Sequence, residues 1–215
     1  MSVAAALAEA GFTPTAVCPL TPHEAEIYGG PQALLLSPSA DLWYHVVRHS
    51  PSAPSLDQYS RAALTDIAQT HAQRATFPFE RDPNGGYVPF YEWALRSGSC
   101  FTSPIGMLVH DSFGLMISFR GALIGDGFDP RPGPSASPCH TCVDTPCLYS
   151  CPVSALGPHA YDVAACRDAL RSHDLGHCMT LACKARRNCP HTPAEMRPAA
   201  HIAHLMREFT NAARH

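Results

Sequence analysis

Eight of the ten cysteines lie in one stretch of the sequence, between residues 139 and 189. Two of them are followed directly by proline, at Cys151-Pro152 and Cys189-Pro190. A cubane [4Fe–4S] cluster is held by four cysteine thiolates, so eight thiolates suffice for two clusters. The chemistry that this stretch predicts is electron transfer. The cysteines concerned are Cys139, Cys142, Cys147, Cys151, Cys166, Cys178, Cys183 and Cys189.

The spacing of the first four cysteines is similar to that of bacterial ferredoxins. They are separated by two, four and three residues, whereas the ferredoxin run C-x₂-C-x₂-C-x₃-C-P has a shorter second gap. In two-cluster ferredoxins the last cysteine of the run ligates the other cluster. Crossed ligation of this kind predicts two sets of ligands. The first set is Cys139, Cys142, Cys147 and Cys189, and the second set is Cys151, Cys166, Cys178 and Cys183.

Zinc is the alternative metal for this stretch. Structural Cys₄ zinc sites use cysteine pairs separated by about two to four residues, and Cys139/Cys142 and Cys178/Cys183 have that spacing. A zinc-binding interaction module is therefore an open alternative, although the two Cys-Pro endings favour iron–sulfur clusters. We expect Cys18 and Cys100, which stand apart, to be small buried side chains.

Several histidines and cations lie near the cysteines. We expect the histidines to be solvated loop or helix residues rather than ligands: His140, His177, His191, His201 and His204. The basic run from Lys184 to Arg187 is expected to form a solvated turn or to offset the negative charge of a cluster.

The composition argues against several classes of protein. The formal net charge is −3 and the pI is about 6.5, whereas a nucleic-acid-binding domain usually carries a basic stripe and a high pI. We therefore expect no nucleic-acid partner. The N-terminus lacks a basic region and carries Glu9, and no run of about eighteen uncharged apolar residues occurs. We expect a cytoplasmic protein without a membrane span, in a reducing compartment where clustered cysteines bind metal more often than they form disulfides.

The remaining patterns predict an α+β protein in two blocks. Residues 1–128 are predicted to form an α/β domain, residues 129–138 a proline-rich linker, and residues 139–215 a ferredoxin-type domain with a C-terminal helix. Helices are expected at residues 2–10 and 41–49, from Ser55 onward, from Pro89 to Gly98, and at 163–171 and 198–213. Strands are expected at 16–18, 33–36 and 76–79, with a β-hairpin that joins 107–109 to 115–119.

The order of the cysteines resembles one protein family. Four cysteines ending in Cys-Pro, then the lone Cys166 in a helix, then three cysteines ending in Cys-Pro are similar to the double-cluster module of epoxyqueuosine reductases and reductive dehalogenases. The gaps around Cys178, Cys183 and Cys189 are wider than in that family. The resemblance implies two [4Fe–4S] clusters that pass electrons to a redox partner protein or to a small-molecule acceptor.

The same resemblance extends to the first block. Epoxyqueuosine reductases carry a cobalamin-binding α/β domain before the clusters, and a similar order of elements implies a reduced form of that domain here. It also implies cobalamin as a second cofactor, a small cobalamin-dependent reductase as an alternative function, and Asp82 as a catalytic residue, with Glu80 as its rival. We expect a short relative without the helical repeats that help to hold tRNA in some members.

Overall fold

The computed structural model of the protein describes residues 1–130, 136–158, 160–173, 175–194 and 197–212. Its chain forms two compact units. The first unit comprises Met1–Cys100 and Ser118–Pro134, and the second comprises Phe101–Ile117 and Ser135–His215. The predicted linker at 129–138 lies in part outside the described residues, which omit 131–135.

Helices and strands occur together in the described chain, so the predicted α+β class is confirmed. The strands are β1 (Phe12–Pro19), β2 (Gln32–Pro38), β3 (Arg74–Thr76), β4 (Cys100–Thr102), β5 (Leu108–His110) and β6 (Gly121–Gly125). The helices are α1 (Val3–Glu9), α2 (Pro22–Tyr28), α3 (Leu42–His49), α4 (Leu56–Thr70), α5 (Phe90–Arg96), α6 (Val163–Ser172), α7 (Cys178–Leu181), α8 (Lys184–Arg187) and α9 (Ala199–Asn211). None of the helices in the described ranges combines the length and the apolarity that crossing a bilayer requires.

A four-stranded antiparallel sheet forms the core of the first unit, in the order β1-β2-β6-β3. Leu34 of β2 stands opposite Val17 of β1 on one side and Leu123 of β6 on the other. Both β2 and β6 are short apolar runs with nearly every residue buried, which is typical of strands covered on both faces. Strand β6 was missing from the sequence prediction, although its flanking glycines and apolar centre are the signal that would have identified it.

Helix α4 packs against this sheet. The Ser55 hydroxyl accepts a hydrogen bond from the Gln58 N–H at 3.3 Å and caps the helix, as the sequence predicts. Where α4 contacts β6, a Cβ on Gly121 of β6 would lie 2.6 Å from Leu64 Cδ1 of α4. The absence of a side chain at residue 121 therefore allows α4 to approach β6 closely.

Two predictions for the first block are wrong. The strand expected at 76–79 is instead β3, which ends at Thr76, because Pro78 has no N–H for a ladder. The expected β-hairpin of 107–109 with 115–119 is absent, since β5 pairs with β4.

Helix α2 was not predicted, although Thr21 and Glu24 form a capping box at its start, with Pro22 as its first residue.

Residues 101–117 belong to the second unit, which differs from the predicted domain boundary at 128. Ile105, Val109 and Leu115 form one apolar cluster with Cys147, Leu156 and Ala185. The hydrophobic effect therefore packs the segment 101–117 with the cysteine stretch.

Helix α9 packs in the second unit against α6 and α7. Arg167 Nε donates to the carbonyl of Phe209 at 2.9 Å, and Arg171 Nη2 donates to that of Thr210 at 2.5 Å. Both cations thereby satisfy carbonyls in the last turn of α9, where positive charge is favoured. The expectation that His201 lies on the helix surface is wrong, because its side chain is buried with 1% exposure.

Candidate metal centres

The first set of cysteines lines one cavity of the second unit, which we call the first cavity. Its walls are Cys139, Cys142, Cys147 and Cys189, with Ser103, Pro104, Leu115, Thr145, Pro146, Pro190 and His191. Cys139 and Cys147 lie in short 3₁₀ turns, Pro138–Thr141 and Pro146–Leu148. Between them Thr145 adopts φ 36° and ψ 54°, which is rare for a β-branched residue. The backbone turns sharply there, and Cys139, Cys142 and Cys147 line the same cavity as Cys189, which is distant from them in sequence.

The pKa values of two of these thiols are raised by burial and by the neighbouring cysteines. Burial raises the pKa of Cys139; the Ser137 hydroxyl lowers it in part, and Cys189 and Cys142 raise it further. Burial also raises the pKa of Cys147, and its neighbours Cys139, Cys142 and Cys189 add to that increase. Thiolates in one cavity would repel one another, and a positively charged metal centre would offset that repulsion.

The second set lines another cavity of the same unit, the second cavity. Its walls are Cys151, Cys166, Cys178 and Cys183, with Pro152, Val153, Leu156, Ala169, Leu170, Leu175, Gly176, Lys184 and Ala185. Helix α6 carries Cys166, and Asp162 caps that helix by accepting from the Ala165 N–H at 2.9 Å. Helix α7 begins at Cys178, and Cys183 directly precedes α8.

Backbone amides point at two sulfurs of the second cavity. The Ala155 N–H donates to Cys151 Sγ and the Lys184 N–H donates to Cys178 Sγ, each at 3.3 Å. Such hydrogen bonds stabilise a thiolate and raise the reduction potential of a cluster bound to it. Burial raises the pKa of Cys166, whereas the Tyr161 hydroxyl lowers it.

The donor chemistry of both cavities fits an iron–sulfur cluster. Each cavity offers four thiols and no carboxylate among its lining residues, and four thiolates are the usual ligands of a [4Fe–4S] cluster. Among the residues that the structure describes, no group of three or more His, Cys, Asp or Glu side chains is arranged to hold a metal ion.

The basic run beside Cys183 is not a solvated turn, because its arginines bind backbone carbonyls. Arg186 donates to the carbonyls of Leu115 and Ile117 at 2.6 and 3.0 Å. Arg187 donates to those of Ala182 and Gly176, both at 2.7 Å. These contacts are not predictable from the sequence, because nothing in the local sequence shows which carbonyls a guanidinium reaches.

The histidines beside the cysteines differ in their surroundings. His140 is exposed, as expected. His191 lines the first cavity. His177 adopts a left-handed conformation with φ 53° and precedes α7. Cys18 and Cys100 are buried in the first unit, at 0% and 1% exposure, and neither is a lining residue of the two cavities.

Asp82 lies in a tight turn of the first unit. Its Oδ1 accepts hydrogen bonds from the N–H groups of Asn84 and Gly86, at 2.8 and 3.0 Å. These bonds stabilise the turn, which is a common function of an aspartate before proline. Glu80, the rival candidate, forms an ion pair with Arg61. A catalytic function for Asp82 stays a prediction.

Comparison with known proteins identifies no family: no family model and no curated protein matches the chain. Solved structures are similar to it at low identity, among them the following three. Selenomethionine-labelled epoxyqueuosine reductase is 15% identical with a TM-score of 0.46, over 80% of this chain and 52% of that chain. Epoxyqueuosine reductase with an epoxyqueuosine-modified tRNA-Tyr stem loop is 15% identical with a TM-score of 0.47, over 82% and 52%. The C. elegans B12-trafficking protein CblC, a human MMACHC homologue, is 13% identical with a TM-score of 0.45, over 99% and 96%. The chain thus spans about half the length of the two epoxyqueuosine reductase chains.

Proposed function

We propose that this protein binds two [4Fe–4S] clusters in a ferredoxin-type second unit and transfers electrons to a redox partner protein or a small-molecule acceptor. The observation that supports the proposal is the pair of cavities, each lined by four thiols from separate parts of the chain. When bound, such clusters would take up and release single electrons.

The residues of each cavity would act in different ways. In the first cavity, Cys139, Cys142, Cys147 and Cys189 would ligate one cluster, and Leu115 and the prolines would exclude water from it. In the second cavity, Cys151, Cys166, Cys178 and Cys183 would ligate the other, and the N–H groups of Ala155 and Lys184 would stabilise the sulfur charge.

Metal and sulfide analysis of anaerobically purified protein tests this proposal. We expect about eight irons and about eight sulfides per chain, with broad visible absorption that dithionite bleaches. Protein that contains about two zincs per chain and no sulfide would instead support the zinc-binding alternative.

A single substitution tests the assignment of ligands to cavities. Cys166→Ser removes one thiol of the second cavity only, so the iron content should fall from about eight to about four per chain. Cys18→Ala is the matched control, because Cys18 is buried in the first unit; it should retain the full iron content. An unchanged iron content in Cys166→Ser would contradict the assignment.

The cobalamin-dependent reductase stays a prediction that rests on the family resemblance. It is tested by titrating cobalamin with the protein and recording the visible spectrum of the corrin. A spectral change that saturates with protein would extend the proposal to this class of enzyme, and an unchanged spectrum at high micromolar concentrations would limit it to electron transfer.

A further inference from the structure

Ala182 adopts a backbone conformation that alanine rarely occupies. Its φ of 69° and ψ of 169° fall in a region almost restricted to glycine. The residue is 6% exposed and separates α7 from Cys183, so it lies between two cysteines of the second cavity. A conformation of this kind persists only where surrounding contacts hold it in place.

The guanidinium of Arg187 supplies two such contacts. Its Nη1 donates to the Ala182 carbonyl and its Nη2 to the Gly176 carbonyl, each at 2.7 Å. These carbonyls lie on either side of Cys178 in the sequence. Because the guanidinium is rigid and planar, the two bonds fix the separation of the segments that carry them.

The loop that Arg187 holds is tightly packed around one sulfur. A Cβ on Gly176 would lie 3.1 Å from Cys178 Sγ and 3.2 Å from Pro152 Cγ. On the other side the Lys184 N–H donates to the same sulfur at 3.3 Å. A small movement of either segment would therefore displace Cys178 relative to Cys183.

We propose that Arg187 is a positioning residue of the second cavity, which sets the positions of Cys178 and Cys183 by holding the carbonyls of Gly176 and Ala182. The inference rests on the proposed function, since its consequence is the retention of a cluster. Neighbours that orient metal ligands typically change metal affinity by about 10- to 100-fold when they are substituted.

The test measures iron release from anaerobic protein to a chelator in the variant Arg187→Gln. About half of the iron should leave about 10- to 100-fold faster than in the wild type, and the other half should leave at the wild-type rate. Arg207→Gln is the matched control, because Arg207 is an exposed arginine on α9, and it should release iron as the wild type does. In a Cys166→Ser background, which would retain only the first cluster, Arg187→Gln should have no effect on release.

A second substitution separates positioning from a general loss of stability. Ala182→Gly makes the conformation at residue 182 readily accessible, so it should restore much of the iron retention in the Arg187→Gln background. If Arg187→Gln alone fails to fold, recovery of folded, iron-containing protein by the added Ala182→Gly supports the proposal. Continued failure of the double variant contradicts it.

The outcomes distinguish this inference from the proposed function. Wild-type protein without iron and sulfide would overturn both. Wild-type protein with its full iron content, together with an unchanged release rate in Arg187→Gln, would overturn the positioning function of Arg187 alone. Equal acceleration of iron release from both cavities would also contradict it.

Discussion

Glu24 shows how single residues set the properties of the first unit. Its carboxylate accepts hydrogen bonds from Trp93 Nε1 at 2.9 Å and Arg96 Nη2 at 2.6 Å, and from the Thr21 N–H at 2.8 Å. Burial alone would raise the pKa of Glu24, but these bonds together lower it to about 2. The charged carboxylate thus joins α2 to α5.

The low pKa of Glu24 predicts a stability change in acid. A group whose pKa is lowered by folding stabilises the protein above its unfolded pKa, near 4.5, and this contribution is lost as the pH falls through about 2. Glu24→Gln should therefore cost about 2 kcal/mol of unfolding free energy near neutral pH, and the difference from wild type should shrink between about pH 4.5 and about pH 2. Urea unfolding followed by tryptophan fluorescence measures this, because Trp43 and Trp93 both lie in the first unit.

Glu26→Gln is the control for this prediction, because Glu26 is an exposed carboxylate on the same helix. It should follow the wild type across the whole pH range. A wild-type and a Glu24→Gln curve that remain parallel down to about pH 2 would contradict the linkage argument.

The positions of secondary elements in the second unit depend on close backbone contacts. Gly114 has φ +51°, and a Cβ there would lie 2.5 Å from the backbone nitrogen of Thr192 and 2.7 Å from the carbonyl carbon of His191. This contact joins the segment after β5 to the loop that follows Cys189. Residues of this loop also line the first cavity.

Gly114→Ala should displace the loop after Cys189. Because backbone atoms form the clash, we expect a loss of about 2–4 kcal/mol in stability and reduced iron content, with the loss confined to the first cavity. Gly106→Ala is the matched control, since Gly106 lies in the same segment with φ +75° and no atom near the added Cβ; it should cost only about 1 kcal/mol and retain iron. Thermal unfolding and iron analysis measure both effects, and equal losses in the two variants would refute the contact argument.

At the scale of the whole molecule, the two units depend on different interactions. The first unit has a continuous apolar sheet in which Leu35, Leu36 and Leu123 are fully buried. In the second unit, five cysteines of the two cavities lie in or against the apolar cluster: Cys139, Cys147, Cys151, Cys183 and Cys189. Cys178 is also buried. If the proposed clusters bind there, metal binding would supply much of the folding energy of this small unit.

Removal of iron should therefore affect the two units differently. We expect hydrogen exchange in α7 and α8 to rise strongly in iron-free protein, while exchange in β2 and β6 remains within about twofold of the iron-loaded value. Hydrogen-exchange mass spectrometry with and without chelator measures this. Equal protection of α7 and α8 in both states would show that the second unit folds without metal.

Much of the first unit was predictable because its signals are local. The cap at Ser55 and the apolar runs of β1 and β2 depend on residues a few positions apart, and they appear as predicted. The hairpin predicted at 107–119 was based on the same kind of local pattern, an alternation of apolar and turn residues. In the structure, however, Leu115 is buried with Cys147 and Ala185. Arg186 binds carbonyls that a strand would have used for its own hydrogen bonds. Sequence patterns do not reveal such distant competitors.

What the sequence alone determined is the number, order and grouping of the cysteines. The crossed pattern of two-cluster ferredoxins predicts two sets of four, and the residues of each set line one cavity. Their assignment as ligands stays a prediction. The tertiary structure decided which parts of the chain support these sets: the segment 101–117, helix α9, and Arg187 on the carbonyls of Gly176 and Ala182. Those contacts depend on buried area and on hydrogen bonds between residues far apart in the chain, which only the folded packing specifies.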